Sequence, residues 1–396
     1  MERITNKSFY VLGLCFCLFS IRIKQISLVI FPLIIIAFLS IYYFFKKKKV
    51  IFNFLLIYYM LIFISIFSGM EYSKQLFYKN LYSFSTVRIL FFLIILSFYK
   101  ISNLNVKSFI SGLKIGIFIN YIWGTLEFLL WEFLKIPLNH NIFYEILRMN
   151  VGHTWLNIRD GNIRVCGFSW DPLTIGMLSA LGFFLYNNKY LKFYSLAILY
   201  LSGSRNSILA CILTYLFICI YKSLRKNKKL GILLIIGSLL ISLTIVTYFS
   251  KYKNYESYGN SRRKQYYFSA IESTYINGNP ILFLFGGSPI HTGRIFVENK
   301  ELSQKTYLES SMFNSYWKIE SDWAGILAGR GWIGLISYIL LFCLSIYMVP
   351  DILLKKIIIL FFFLGIGYYY ETSLLINIIL IYVNQNYRLR IRRRKI

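Results

Sequence analysis

A small set of side chains near the ends of this chain's apolar runs could handle a phosphate or move a proton. In chain order they are Arg164 in "IRVCGFSWDP", Arg205 in "GSRN", and Arg262 and Arg263 in "NSRRKQYY". His291 and Arg294 follow in "HTGR", then Glu320 and Asp322 in "IESDW", and Arg330 in "AGRGWIG". Guanidinium groups stay protonated and grip phosphate oxygens in pairs. Placed where negative charge develops, they stabilise an anionic leaving group without a metal. Arg164, Arg205, Arg263 and Arg330 are therefore the candidate phosphate-binding residues. An attacking hydroxyl needs a base, and Glu320, Asp322 and His291 are the candidates for that catalytic role. Glu320 and Asp322 are two positions apart, so on a helix they would not share a face. One would act while the other positions or caps.

Each of these residues has a plainer reading. An arginine near a helix end snorkels to the interface. Asp322 could N-cap the helix after it, and a loop histidine is often only solvated. The glycines of "FLFGGSP", Gly286 and Gly287, read as a turn before they read as a phosphate cradle.

The elements that hold these residues follow from composition. Of 396 residues 57% are hydrophobic, and apolar runs of membrane-spanning length recur. Spans are expected near 8–21, 25–45, 50–68, 87–100, 108–131, 171–187, 190–203, 206–221, 229–249, 323–349, 356–370 and 373–385. This describes an all-α polytopic integral membrane protein of about 12 helices in a single membrane domain, 1–396. Continuous rather than alternating runs argue against a barrel. The net charge is +28, and the densest basic clusters are short, acid-free and beside apolar runs, at Lys46–Lys49, Lys222–Lys229 and Arg388–Lys395. That is the pattern of cytoplasmic loops on anionic lipid, not of a nucleic-acid surface.

Placing those clusters inside puts both termini in the cytoplasm. It requires 356–385 to be a hairpin turning near Glu371, and makes 132–170 and 250–322 long outward loops, the second with short helices. Fourteen of the 16 acids, all but Glu2 and Asp351, then fall on or near the outer side, as do all seven tryptophans. "LSGSRNSILA" becomes an outward turn with Arg205 at the rim. Six cysteines form no CxxC, and neither a metal site nor a cofactor motif is implied. The first apolar run has no A-x-A site after it and is expected to remain as a helix.

The ordered elements "R..GF..DP..IG" at 164–176, "GSRN" at 203–206, "R...Y" and "P..lfGG" at 263–287, and "ESD....l...G.IG" at 320–334 resemble the O-antigen polymerase and O-antigen ligase superfamily. The resemblance covers roughly the second half of the chain. It implies a glycosyltransferase of GT-C-like membrane architecture, in the cell inner membrane with its active site facing outward. Its donor, and for a polymerase its acceptor too, would be an oligosaccharide on undecaprenyl diphosphate. Membrane lipid, and a chain-length regulator protein, are the other partners it suggests. The ligase branch carries a histidine before the equivalent final span. Here Glu320-Ser321-Asp322 stands there, which favours the polymerase. The alternatives are a ligase acting on lipid A core and a lipid-linked sugar transporter. The lack of internal repeats and of midplane polar groups weighs against the transporter.

Overall fold

The computed structural model describes residues 2–18, 22–23, 26–27, 29–47, 54–71, 74–146, 158–159, 162–168, 171–226, 271, 279–289, 321–367 and 373–394. These residues are mostly helical. The helices are α1 (Glu2–Cys17), α2 (Ile30–Lys47), α3 (Phe54–Ser68), α4 (Lys74–Leu81), α5 (Phe84–Phe98) and α6 (Asn103–Leu134). Then follow α7 (Pro172–Leu185), α8 (Lys189–Leu201), α9 (Arg205–Lys226), α10 (Pro280–Phe285), α11 (Asp322–Met348), α12 (Ile352–Gly367) and α13 (Leu374–Arg394). Four are long and apolar enough to cross a membrane, counting from Phe54–Glu71, Asn103–Leu134, Arg205–Ser223 and Asp322–Met348. Shorter apolar helices lie at Ile30–Lys46, Thr86–Phe98, Pro172–Leu185 and Leu374–Asn386.

Local chemistry moves several boundaries from those expected. The span expected to begin at 25 begins at Ile30, because Arg22–Ile23 and Ile26–Ser27 pair as a small antiparallel ladder. A second two-residue ladder joins Ile158–Arg159 to Asn162–Ile163. The helix expected at 108–131 runs 32 residues, because a reciprocal Ser102–Asn105 capping box starts it and Lys135, at φ 56°, ends it. The expected span 229–249 and the turn at Glu371 lie outside the described residues. On either side of that turn, α12 and α13 are separate helices that pack together.

Contacts at the helix ends give the directions. Lys355, at the start of α12, donates to the Tyr221 hydroxyl near the end of α9 (3.0 Å), while Asn206, at the start of α9, donates to the Leu364 carbonyl (3.0 Å). The two helices are thus antiparallel. Gln385 of α13 bonds the Tyr99 carbonyl and the Ile101 amide, joining its end to the α5–α6 corner. Helices α1 and α6 run parallel, with Asn105 donating to Asn6 (2.7 Å) and Asn120 to the Cys17 carbonyl (2.9 Å). Glycines set how closely these two approach. A Cβ on Gly13 would lie 2.2 Å from the Phe109 carbonyl oxygen, and one on Gly112 2.0 Å from that of Tyr10. This is the small-residue contact expected between helices in lipid. At one end of the bundle, therefore, stand the starts of α1, α6 and α12 and the ends of α5, α9 and α13, with Arg3, Lys7, Lys100, Lys107, Lys222 and Lys355.

Candidate functional site

At the opposite end, three of the sequence elements converge. Helix α8 stops at Leu201 and α9 starts at Arg205, so the arginine opens a helix, as the expected outward turn requires. Gly203 makes the turn at φ +59°. Ser202 donates to the Leu199 carbonyl, and Ser204 to Ser207. Segment 162–168 lies against this turn. Its Val165 amide donates to the Leu201 carbonyl (3.2 Å), and Arg164 donates through Nε to the Ser202 carbonyl (3.1 Å) and through Nη2 to that of Gly203 (3.3 Å). Arg164 and Arg205 thus flank one three-residue turn. Arg164 is half-buried and grips backbone, whereas Arg205 is exposed.

The third element arrives through α12. Asn206 bonds the Leu364 carbonyl, and Ser321 bonds the carbonyl of the next residue, Gly365 (3.3 Å). "GSRN" and "ESD" therefore meet on adjacent residues of one helix. Ser321, not Asp322, caps α11, accepting from the Ala324 amide. Asp322 is 3% exposed, faces inward and accepts from the Tyr338 hydroxyl (3.1 Å). A Cβ on Gly365 would come within 2.9 Å of its Oδ2 and 3.1 Å of the Tyr338 hydroxyl, so a side chain here would press on both partners of that bond.

Beyond its strand at Asn162–Ile163, segment 164–168 is irregular backbone against apolar helices, which is tolerated only where its polar groups find partners. Its main partner is Glu127 on α6, a residue not among the sequence candidates. Glu127 is 1% exposed. Its Oε2 accepts from the amides of Cys166 (2.9 Å) and Gly167 (3.0 Å), and its Oε1 from Asn139 Nδ2 (3.0 Å). Asn120 Oδ1 accepts from the Phe168 amide (2.9 Å). The signal was available, since Glu127 is an acid inside the apolar stretch "GTLEFLLWEFL" and an ionisable residue in a span calls for a named partner. Glu127→Leu would leave two backbone amides buried without their acceptor, while Asn139 keeps its bond to the Gly167 carbonyl. At ~1–3 kcal/mol per orphaned group, it is expected to destabilise the fold by at least ~2 kcal/mol. Chemical denaturation in detergent measures this; a variant as stable as the parent would show that the carboxylate is dispensable.

Arg330 occupies a second cluster. It is 2% exposed, and its Nη1 donates to the Tyr58 hydroxyl of α3 (2.8 Å) with the guanidinium 5.7 Å from that ring's centroid. Tyr58, Asp322, Tyr338 and Asn377 line a cavity of about 10 Å3, room for one water. Tyr59 bonds Asn377 beside it. Helix α11 is interrupted one residue on, at Gly331 (φ 62°, ψ −167°). The end of α10 is seated in this break, where the Ser288 amide donates to the Gly329 carbonyl (3.1 Å). Gly286 ends α10 at φ +62°. The motif "FLFGGSP" is therefore a turn, and what it cradles is the backbone of "GRG". Tyr58→Phe removes one hydrogen bond to a buried charge and is expected to lower stability by ~1.5–3 kcal/mol; denaturation midpoints in detergent test this.

Arg164, Arg205 and Asp322 thus share one end of the bundle, while Arg330 faces α3. Arg262, Arg263, His291, Arg294 and Glu320 lie outside the described residues. Comparison of the chain with protein-family models and with curated proteins finds no match. Among the described residues no group of three or more metal-binding side chains occurs.

Proposed function

We propose that this chain is a surface-polysaccharide polymerase of about twelve membrane spans, with cytoplasmic termini. It would join oligosaccharide units carried on undecaprenyl diphosphate at the outer face of the cytoplasmic membrane. The observation that carries this reading is the pairing of Arg164 and Arg205 on one turn, beside the start of α11. Two guanidinium groups at a helix N-terminus favour an anion with several oxygens. Among membrane substrates, a lipid diphosphate has that chemistry.

In the proposed step a hydroxyl of the acceptor unit attacks the anomeric carbon of the donor. The new C–O bond forms as the old glycosidic bond breaks, and its electron pair leaves with the diphosphate oxygen. Direct displacement inverts the anomer. Arg205 stabilises the leaving charge, and Arg164 both adds to it and braces the turn through the Ser202 and Gly203 carbonyls. The hydroxyl proton passes to a carboxylate or imidazole. Asp322, closed in against Tyr338, suits a positioning role, which leaves Glu320 and His291 as candidate bases.

The test is incubation of purified protein with a synthetic undecaprenyl-diphosphate-linked repeat unit, followed by mass spectrometry. Dimers and longer chains are expected. Units that stay single while added lipid A core is glycosylated would identify a ligase instead. Transbilayer movement in proteoliposomes without any new glycosidic bond would identify a transporter.

A further inference from the structure

The far end of the bundle holds a feature that this chemistry does not use. Between the first turns of α1 and α6 lies an open cavity of about 420 Å3, lined by Arg3, Asn6, Lys7, Tyr10 and Ser108. The four α1 residues are spaced i, i+3, i+4 and i+7, so they form one face of the helix. None of the five is acidic. Two are cations, and the other three carry an amide or a hydroxyl. We propose that this cavity binds the phosphate headgroup of an anionic membrane lipid.

The cavity is shaped by packing that is fixed independently of any ligand. The glycine contacts at Gly13 and Gly112 hold α1 and α6 in register. The Asn105 amide, itself bonded within the α6 cap, holds Asn6. The wall of the cavity, Asn6 with it, is thus set before a ligand arrives, which lowers the entropy lost on binding. Arg3 and Lys7 are exposed while Asn6, Tyr10 and Ser108 are half-buried, so charge stands at the mouth and neutral donors line the wall.

The surroundings select a lipid over a soluble anion. Further along the two helices, Val11 (42% exposed) on α1 and Ile115 (45%) on α6 present apolar surface along which an acyl chain can lie, and Ile4 (56%) and Leu104 (53%) stand at the level of the cavity itself. Lys100 and Lys107 stand at the same end of the bundle and add to the local positive potential. A basic pocket between helix ends at a membrane surface is the arrangement that holds anionic headgroups. The site is at the end of the bundle opposite the Arg164–Arg205 turn, and it stands whether or not the chain is a glycosyltransferase.

The experiment reconstitutes the full chain in nanodiscs of phosphatidylcholine, with or without phosphatidylglycerol, and counts retained lipids by native mass spectrometry. The parent chain is expected to retain phosphatidylglycerol selectively. The double variant Arg3→Gln/Lys7→Gln is expected to bind it roughly 30-fold more weakly, at about fivefold per cation near the surface. Both residues are exposed, so the fold should survive. Ser108→Phe sets a bulky ring in the cavity wall without altering charge and should also sharply weaken retention. Equal retention of the two lipids by the parent would overturn the proposal. So would an equal loss in Lys46→Gln, which would mark a diffuse basic surface, or displacement of the lipid by inorganic phosphate, which would mark a site for a soluble anion.

Discussion

Arg205→Ala is expected to slow chain growth by roughly two to three orders of magnitude while changing fold stability by no more than ~0.5 kcal/mol. The second half of this expectation makes the first decisive. Arg205 is exposed and is the first residue of α9. The N-terminus of a helix carries partial positive charge, so a cation there works against the helix that it opens. Alanine would relieve that repulsion and has the highest helix propensity. Helix stability therefore gives no reason for arginine at this position; snorkelling to the interface and an anion resting on both the guanidinium and the helix end do, and only the second makes the rate depend on it. Arg205→Lys keeps the charge but loses the planar fork, and should fall between parent and alanine variant. Initial rates of dimer formation, read beside denaturation midpoints of the same samples, check this. A rate that is unchanged, or one that falls only in step with the midpoint, would falsify the role.

Arg164 offers no such clean separation. Its bonds to the Ser202 and Gly203 carbonyls make it a brace for the turn as well as a charge beside it. The contrast shows where sequence reasoning reached and where it stopped. That an arginine at 205 must lie at a helix break followed from the placement of the basic clusters, because one long helix from 190 to 221 would have reversed the side on which Lys222–Lys229 falls. That Arg164 lies against the same break did not follow, since 38 residues separate it from Ser202. The link is made by a carboxylate on a third element, Glu127, whose sequence neighbours say nothing about Cys166. Asp322 is a similar case. Its place at a helix start was legible, but the cap belongs to Ser321, and its partner Tyr338 lies beyond the break at Gly331, which brings the second half of α11 back beside the first.

The helices were legible for a simpler reason. Each apolar run must satisfy its own backbone where no water reaches, and only a helix does so within one segment. Their ends were less so, because ends depend on short polar sequences that composition averages away. The Ser102–Asn105 box lengthens α6, and the ladder at Arg22–Ser27 delays α2. The break inside α11 has a local signal in "GRG", because closely spaced glycines permit close backbone approach and an irregular helix. What fills the break was not, because α10 comes from a segment 44 residues earlier whose glycines read as an ordinary turn.

That crossing carries the largest stability effect expected in this chain. Gly286→Ala places a Cβ 2.3 Å from the Gly329 carbonyl carbon and oxygen and the Arg330 amide, all of them backbone atoms with no rotamer to yield. The residue also sits at φ 62°, ψ −167°, a conformation essentially reserved for glycine and worth ~1–3 kcal/mol against any other residue. Gly331 mirrors it, at the same φ and ψ, with a Cβ there falling 2.5 Å from the Leu284 carbonyl carbon. Either alanine must push α10 out of the break and strip the Ser288–Gly329 bond and the Ser68–Gly286 bond together. A loss above ~4 kcal/mol is expected, against ~1–2 kcal/mol for Gly203→Ala. At Gly203 the φ is also positive, but the nearest atom is Arg164 Nε at 3.1 Å, on a side chain that can move. Denaturation midpoints of the single variants test the ranking. The double variant Gly286→Ala/Gly331→Ala tests the cause: once one alanine has forced the two backbones apart, the second has nothing left to displace, so its added effect should be far smaller than its effect alone.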